Sequence, residues 1–168
     1  MYRKEVFSKT GLFDEALIRN QDDEFNYRLE KAGGRIWLTL DTSVNYYVRP
    51  SWRKLFRQYY EYGYWKVYVN RKHRTVTTLR QLVPLFFVIF LAQSVIQSFI
   101  IWRVSNINLF VLLLYVAISL GSAVKFSNNP KDVLQIMYSF FLLHFSYGCG
   151  YAKGILDFLL LRRKPSVN

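Results

Sequence analysis

Three long stretches without a formal charge fill the second half of the chain: residues 82–102 and 104–124, 21 residues each, and residues 133–152, 20 residues. Wound as a helix at about 1.5 Å per residue, each reaches about 30 Å, the thickness of a bilayer's hydrocarbon core. That pattern predicts a polar head joined to a membrane anchor of three spans. The near-zero mean hydropathy of the whole describes neither part. Residues 1–80 carry 16 of the 23 Lys and Arg and 9 of the 11 Asp and Glu. A head of that size buries only a modest core, so it is expected to lean on the membrane or on a partner.

The net charge of +12 raises the question of nucleic acid. However, eight basic residues and one acid, Glu61, lie between Arg53 and Arg80, immediately before the first apolar run. A basic flank there is the positive-inside pattern and suits anionic lipid headgroups, so the expected partner is the bilayer and not nucleic acid. Arg3, Lys4, Glu5 and Lys9 interrupt any apolar leader, which predicts a cytoplasmic head and a multi-pass cell-membrane protein. Cys149 is the only cysteine, so no disulfide forms within the chain.

Along the head, residues 3–9 read as a short helix stopped by Gly11. Asn20 is a suitable N-cap for a helix over residues 21–32, with Phe25, Leu29 and Ala32 on one face and Gly33-Gly34 ending it. Ile36, Leu38 and Leu40 alternate with Trp37 and Thr39, and residues 44–48 follow before Pro50, so two strands are expected. From Trp52 the apolar period becomes helical, through Leu55, Phe56, Tyr59, Tyr60, Gly63, Tyr64 and Val67, with Arg53, Lys54, Arg57, Gln58 and Glu61 opposite. Such a helix either lies in the headgroup layer or packs on the head's own core. In the third run, Ser146, Gly150 and Gly154 recur every four residues, a face that lets helices approach closely. His144 in that run is expected to hydrogen-bond a neighbouring helix, with catalysis or metal binding as the alternative. Three spans from a cytoplasmic head leave Arg162-Arg163-Lys164 outside, against the positive-inside rule, unless the third run is re-entrant or residues 156–161 turn the chain back.

Gln21-Asp22-Asp23-Glu24 is a compact acidic cluster at a helix start. The helix dipole alone accounts for acids there. The functional alternative is a general base, which that same dipole would weaken unless burial or an adjacent acid raised its pKa again.

The order Arg3-Lys4-Glu5-Val6-Phe7, Gly11-Leu12-Phe13-Asp14-Glu15, Asn20-Gln21-Asp22-Asp23-Glu24-Phe25 and Lys31-Ala32-Gly33-Gly34 resembles the acceptor-side half of family-2 glycosyltransferases. The resemblance is to membrane enzymes of succinoglycan-type exopolysaccharide synthesis. It extends through Arg57-Gln58-Tyr59-Tyr60-Glu61-Tyr62-Gly63-Tyr64-Trp65-Lys66 to His144-Phe145-Ser146-Tyr147-Gly148-Cys149-Gly150. The resemblance implies an α/β fragment, the C-terminal part of a GT-A catalytic domain, over residues 1–50. An interfacial helix over 51–80, a transmembrane region over 81–161 and a basic tail over 162–168 complete the expected plan.

It further implies that Asp22 is the general base of an inverting transfer, that Asp23 and Glu24 stand behind it, and that Arg28 orients them. Gln58, Tyr59, Tyr62 and Trp65 are implied to face the acceptor, and Gln21 stands where the group often has an acid. Glu61 and Tyr62 replace the arginine and tryptophan of processive synthases, which implies addition of a single sugar. The implied donor is a nucleotide sugar and the implied acceptor a lipid-linked sugar. A divalent metal, Mg or Mn, is implied for the complete enzyme, its Asp-x-Asp ligands and the nucleotide-sugar half lying outside this chain. The 168 residues are therefore expected to be a C-terminal portion, truncated or begun at an internal Met, and inactive alone. The rival is a non-catalytic membrane adaptor or transporter subunit, in which the acids only cap a helix.

Overall fold

The computed structural model describes residues 2–37, 39, 41–45, 47, 51–101 and 106–165. Among them every regular element is helical: α1 (Lys4–Thr10), α2 (Gln21–Lys31), α3 (Trp52–His73), a 3₁₀ turn (Leu79–Leu82), α4 (Val83–Ile101), α5 (Asn106–Ala123), α6 (Pro130–Gly154) and a π-helical turn (Ile155–Leu160). The α/β expectation is thereby corrected. Residues 36, 37, 39, 41–45 and 47 are in no strand, while Leu38, Leu40, Tyr46 and Val48 lie outside the described residues. Alternation gives a strand only where a neighbouring strand takes up its backbone groups, and no such neighbour is present among the described residues.

The head is small and aromatic. Phe25 on α2 is fully buried, with Phe13 at 4.7 Å, Tyr2 at 4.9 Å and Phe7 at 5.3 Å between ring centroids. The end of α2 follows from its glycines: Gly33 takes φ 80°, Gly33 N–H donates to Glu30 O and Gly34 N–H to Leu29 O, both at 2.9 Å. This pattern satisfies the last carbonyls of the helix and favours glycine in the left-handed position. At the other end the cap differs from expectation. Asn20 is itself left-handed, at φ 62°, and its amide donates to Tyr62 O of α3 at 2.9 Å instead of capping α2. The asparagine joins two helices.

Two helices, Leu79–Ile100 and Asn106–Ala123, are long and apolar enough to cross a membrane. The third apolar run is not among them. It forms most of α6, which begins at an Asn129 cap followed by Pro130 and packs against α3, α4 and α5. α3 and α6 run parallel, as contacts Trp52–Tyr138, Tyr64–Asp157 and Arg71–Arg163 show. The expected small-residue face makes this seam. A methyl group on Gly63 would strike the Tyr147 carbonyl oxygen, one on Gly150 the Tyr60 carbonyl oxygen, and one on Gly154 would stand 2.7 Å from Tyr64 O. The aromatic face of α3 is thus turned to α6, with Tyr64, Trp65 and Tyr68 gathered around the buried Phe158. His144 Nδ1 lies 2.8 Å from Phe140 O of its own helix and 3.3 Å from the Tyr115 hydroxyl of α5.

Candidate functional site

α2 lies along the face of α3 formed by Tyr62, Lys66 and His73, residues spaced i, i+4 and i+11. Polar clamps hold it there. Besides Asn20 to Tyr62, Lys66 ion-pairs Asp23, and Arg19 reaches Glu61 at 2.9 Å. At the C-terminal end of α3, Lys72 bridges Asp14 at 2.7 Å and Glu24 at 2.8 Å, while His73 Nε2 lies 3.0 Å from Glu24. Leu17, 1% exposed, joins the apolar core beside α3 and closes the same contact from the loop.

The three acids of the cluster have three different surroundings. Glu24 is 0% exposed and takes Arg28 Nε at 2.9 and 3.0 Å in addition to Lys72 and His73. Burial alone would raise its pKa, but the hydrogen bond and charge of Lys72, with Arg28 and His73, outweigh it and hold the carboxyl below the usual range. Asp14 is lowered in the same way, Lys72 and the Ala16 N–H prevailing over burial. Lys72 is raised, because Asp14 and Glu24 outweigh the desolvation that would lower it. Arg28 also donates to Leu12 O at 2.7 Å and to Thr10 O, so it pins the loop between α1 and α2. Its guanidinium lies over the Phe25 ring at 5.2 Å.

Asp23 is part-exposed, at 47%, and neutralised by Lys66. Asp22 is exposed and makes no hydrogen bond or ion pair with the described residues. It lines a depression of about 330 Å³ with Asn20, Asp23, Tyr62, Lys66, Thr78, Gln81 and Tyr147. Gln81 belongs to the start of the first membrane-length helix and Thr78 immediately precedes it, so this depression is where head, α3 and anchor meet. Chemically it offers an unclaimed carboxylate, an ammonium already committed to another acid, an amide and two phenol rings.

The remaining sequence-derived residues divide. Tyr62 lines the Asp22 depression and its ring meets Tyr59 at 5.6 Å. Gln58 lies in a neighbouring depression with Arg19, Lys54, Arg57 and Glu61, and its amide donates to the Tyr62 hydroxyl at 2.8 Å, linking the two. Trp65 is buried, 6% exposed, in the core with Tyr64, Tyr68 and Phe158. Sequence reasoning did not find Lys66, Lys72, His73, Gln81 or Tyr147. Lys72 and His73 are 48 and 49 residues from Glu24, and nothing local signals that separation. Gln81 had a usable signal, being a polar residue at the mouth of an apolar run.

Among the described residues no group of three His, Cys, Asp or Glu is placed to hold a metal ion. Two acids of the cluster are paired with cations, Asp23 with Lys66 and Glu24 with Lys72.

The chain is 33% identical over 162 residues to the succinoglycan biosynthesis protein ExoA of Rhizobium meliloti (strain 1021), covering 94% of this chain and 47% of that protein. It is 26% identical over 147 residues to a dolichyl N-acetyl-α-D-glucosaminyl phosphate 3-β-D-2,3-diacetamido-2,3-dideoxy-β-D-glucuronosyltransferase of Methanococcus voltae, covering 86% of this chain and 42% of that one. No family model matches, and no solved structure matches. The chain spans about half the length of the curated relatives it matches. Along nearly all of its own length it resembles ExoA, and the kinship its ordered motifs implied is borne out.

Proposed function

We propose that this chain is the acceptor-binding and membrane-anchoring part of an inverting family-2 glycosyltransferase, and that Asp22 is its general base. The observation that carries the reading is the Asp22 carboxylate. Among the described residues it alone in its cluster is unclaimed by a cation, and it opens on a depression walled by the start of a membrane-length helix. The homology supports a sugar-transferring role: one relative is named for succinoglycan synthesis, the other for transfer of a uronosyl group to a dolichyl-linked sugar. That second name and the position of the depression support a lipid-linked acceptor in the cell membrane, reached from a cytoplasmic head.

In this reading the acceptor hydroxyl forms a bond to the anomeric carbon of a nucleotide sugar, and its proton passes to Asp22. The bond to the diphosphate breaks, and the nucleoside diphosphate leaves with the electron pair, inverting the centre. A divalent metal on the diphosphate would steady the departing charge, held by residues other than those described. Asp23 and Lys66 keep a paired charge beside the base, and Arg28 with Glu24 fixes the helix that presents it. Glu61, committed to Arg57 and Arg19, stands where processive synthases have arginine, which supports addition of one sugar.

The test is Asp22→Asn in the complete enzyme. General-base help is worth about 10²–10⁴, so kcat is expected to fall by that factor. A variant keeping more than about a tenth of the wild-type kcat would sink the assignment.

A further inference from the structure

Behind Asp22 lies a buried polar network whose hydrogen-bond logic ends in one unused donor. The Thr77 backbone N–H, which can only donate, lies 3.2 Å from Asn70 Oδ1, so this end of the Asn70 amide is its oxygen. The Thr77 hydroxyl donates to the same oxygen at 3.2 Å. Asn70 Nδ2 therefore faces the other way, donating to the Tyr151 hydroxyl at 2.9 Å and to Gln81 at 3.1 Å. Gln81 must answer with Oε1, which leaves its NH₂ group at the opposite end. That Nε2 is buried and has no acceptor among the described residues, in a side chain whose residue is only 6% exposed. Buried amide donors in native proteins are almost always satisfied, and an orphan one calls for a partner.

Gln81 lines the same depression as Asp22. We infer that the floor of this depression is a subsite for the acceptor's pyranose ring, in which Gln81 Nε2 donates to the oxygen next to the hydroxyl that Asp22 deprotonates. The inference rests on the functional reading above and makes Gln81 a positioning residue. A carboxylate that accepts and an amide that donates suit two neighbouring hydroxyls, one giving a hydrogen and the other receiving one. Tyr62 and Tyr147 supply rings for the apolar face of the sugar. A small number of placed polar groups beside ring faces is a usual means of fixing a ligand's orientation. Asn70 sets the orientation here: with both of its own ends occupied, it cannot release Gln81 to turn over.

The test uses the intact protein in lipid nanodiscs without sugar-based detergent, ¹⁵N-labelled at glutamine side chains. Methyl glycosides of glucose, galactose and mannose serve as probes. At least one glycoside is expected to shift the Gln81 NH₂ pair, assigned by its disappearance in Gln81→Met. In that variant the same glycoside should bind about tenfold more weakly. Should Gln81→Met fail to fold, correlation of the side-chain pair with the Gln81 backbone amide in uniformly labelled wild-type protein supplies the assignment, and the wild-type spectrum then decides. A glycoside whose binding is weakened by Asp22→Asn but which leaves the Gln81 pair unmoved overturns the inference and leaves the proposed base standing. If no glycoside shifts the pair, or if UDP-glucose shifts it where the glycosides do not, the acceptor subsite is likewise refuted. Loss of the functional reading itself would show separately, as turnover surviving Asp22→Asn.

Discussion

α3 is held on two faces by opposite kinds of chemistry. One face receives the head through charges: Glu61, Lys66, Lys72 and His73 clamp Arg19, Asp23, Asp14 and Glu24. The other meets α6 through shape, with Gly63, Gly150 and Gly154 letting backbones touch. The first contact can be undone by protons and is specific in its partners. The second depends on the absence of atoms. The head is thus held by charges against a helix whose other side is closed mainly by small residues, with Tyr64 donating to the buried Asp157 as the polar exception, and Asp22 sits beside the head's side.

The largest way to break the contrast is at the seam. Gly150→Ala places a methyl group against the Tyr60 carbonyl oxygen, and overpacking of backbone against backbone costs about 3 kcal/mol. Thermal unfolding in nanodiscs should register it as a clear drop in midpoint. Next comes the head. Glu24→Gln removes a fully buried charge from Lys72, Arg28 and His73, at about 2 kcal/mol, since Lys72 keeps Asp14 and Arg28 reaches solvent. Faster hydrogen exchange confined to α2 would report it, with α3–α6 protection unchanged.

Acid sharpens the comparison without mutation. Glu24 and Asp14 have folded pKa values below their ordinary 4.5 and 3.8. Their contribution is complete above those ordinary values and is lost as pH falls through the lowered folded ones. The head should therefore loosen below about pH 4, while the backbone contacts at Gly63, Gly150 and Gly154 themselves contain no titrating group. Lys72, raised above 10.5, has the opposite sign: its contribution is complete at neutral pH and fades only as pH rises through the raised value. Exchange measured across both windows checks the two signs. The smallest effect is a control. Gly121 on α5 has nothing within 4 Å of an added methyl, so Gly121→Ala should stabilise by about 0.5–1 kcal/mol.

Much of this was legible because it is local. Gly11 and Gly33 end their helices where read, and the four-residue spacing of Ser146, Gly150 and Gly154 does mark a close helix contact. The spacing could not say that the partner is α3, because a small-residue face constrains distance and not identity. The expected strands failed because alternation is only half of a sheet. Which acid is buried was equally unreadable. Asp22, Asp23 and Glu24 are adjacent, and only the return of α3, with Lys66 facing one and Lys72-His73 another, separates them. Trp65 and Tyr62, read together as acceptor-facing, part even though i, i+3 spacing makes them neighbours: Trp65 packs into the core around Phe158, while Tyr62 lines the depression.

The central claim is that two acids two residues apart have unlike duties, Asp22 in chemistry and Glu24 in docking. The direct measurement is a crossed one on the complete enzyme: kcat and unfolding midpoint for Asp22→Asn and for Glu24→Gln, side by side. Asp22→Asn is expected to stop turnover with an unchanged midpoint, whereas Glu24→Gln lowers the midpoint. Asp22→Asn that turns over normally, or that melts as early as Glu24→Gln, would contradict it.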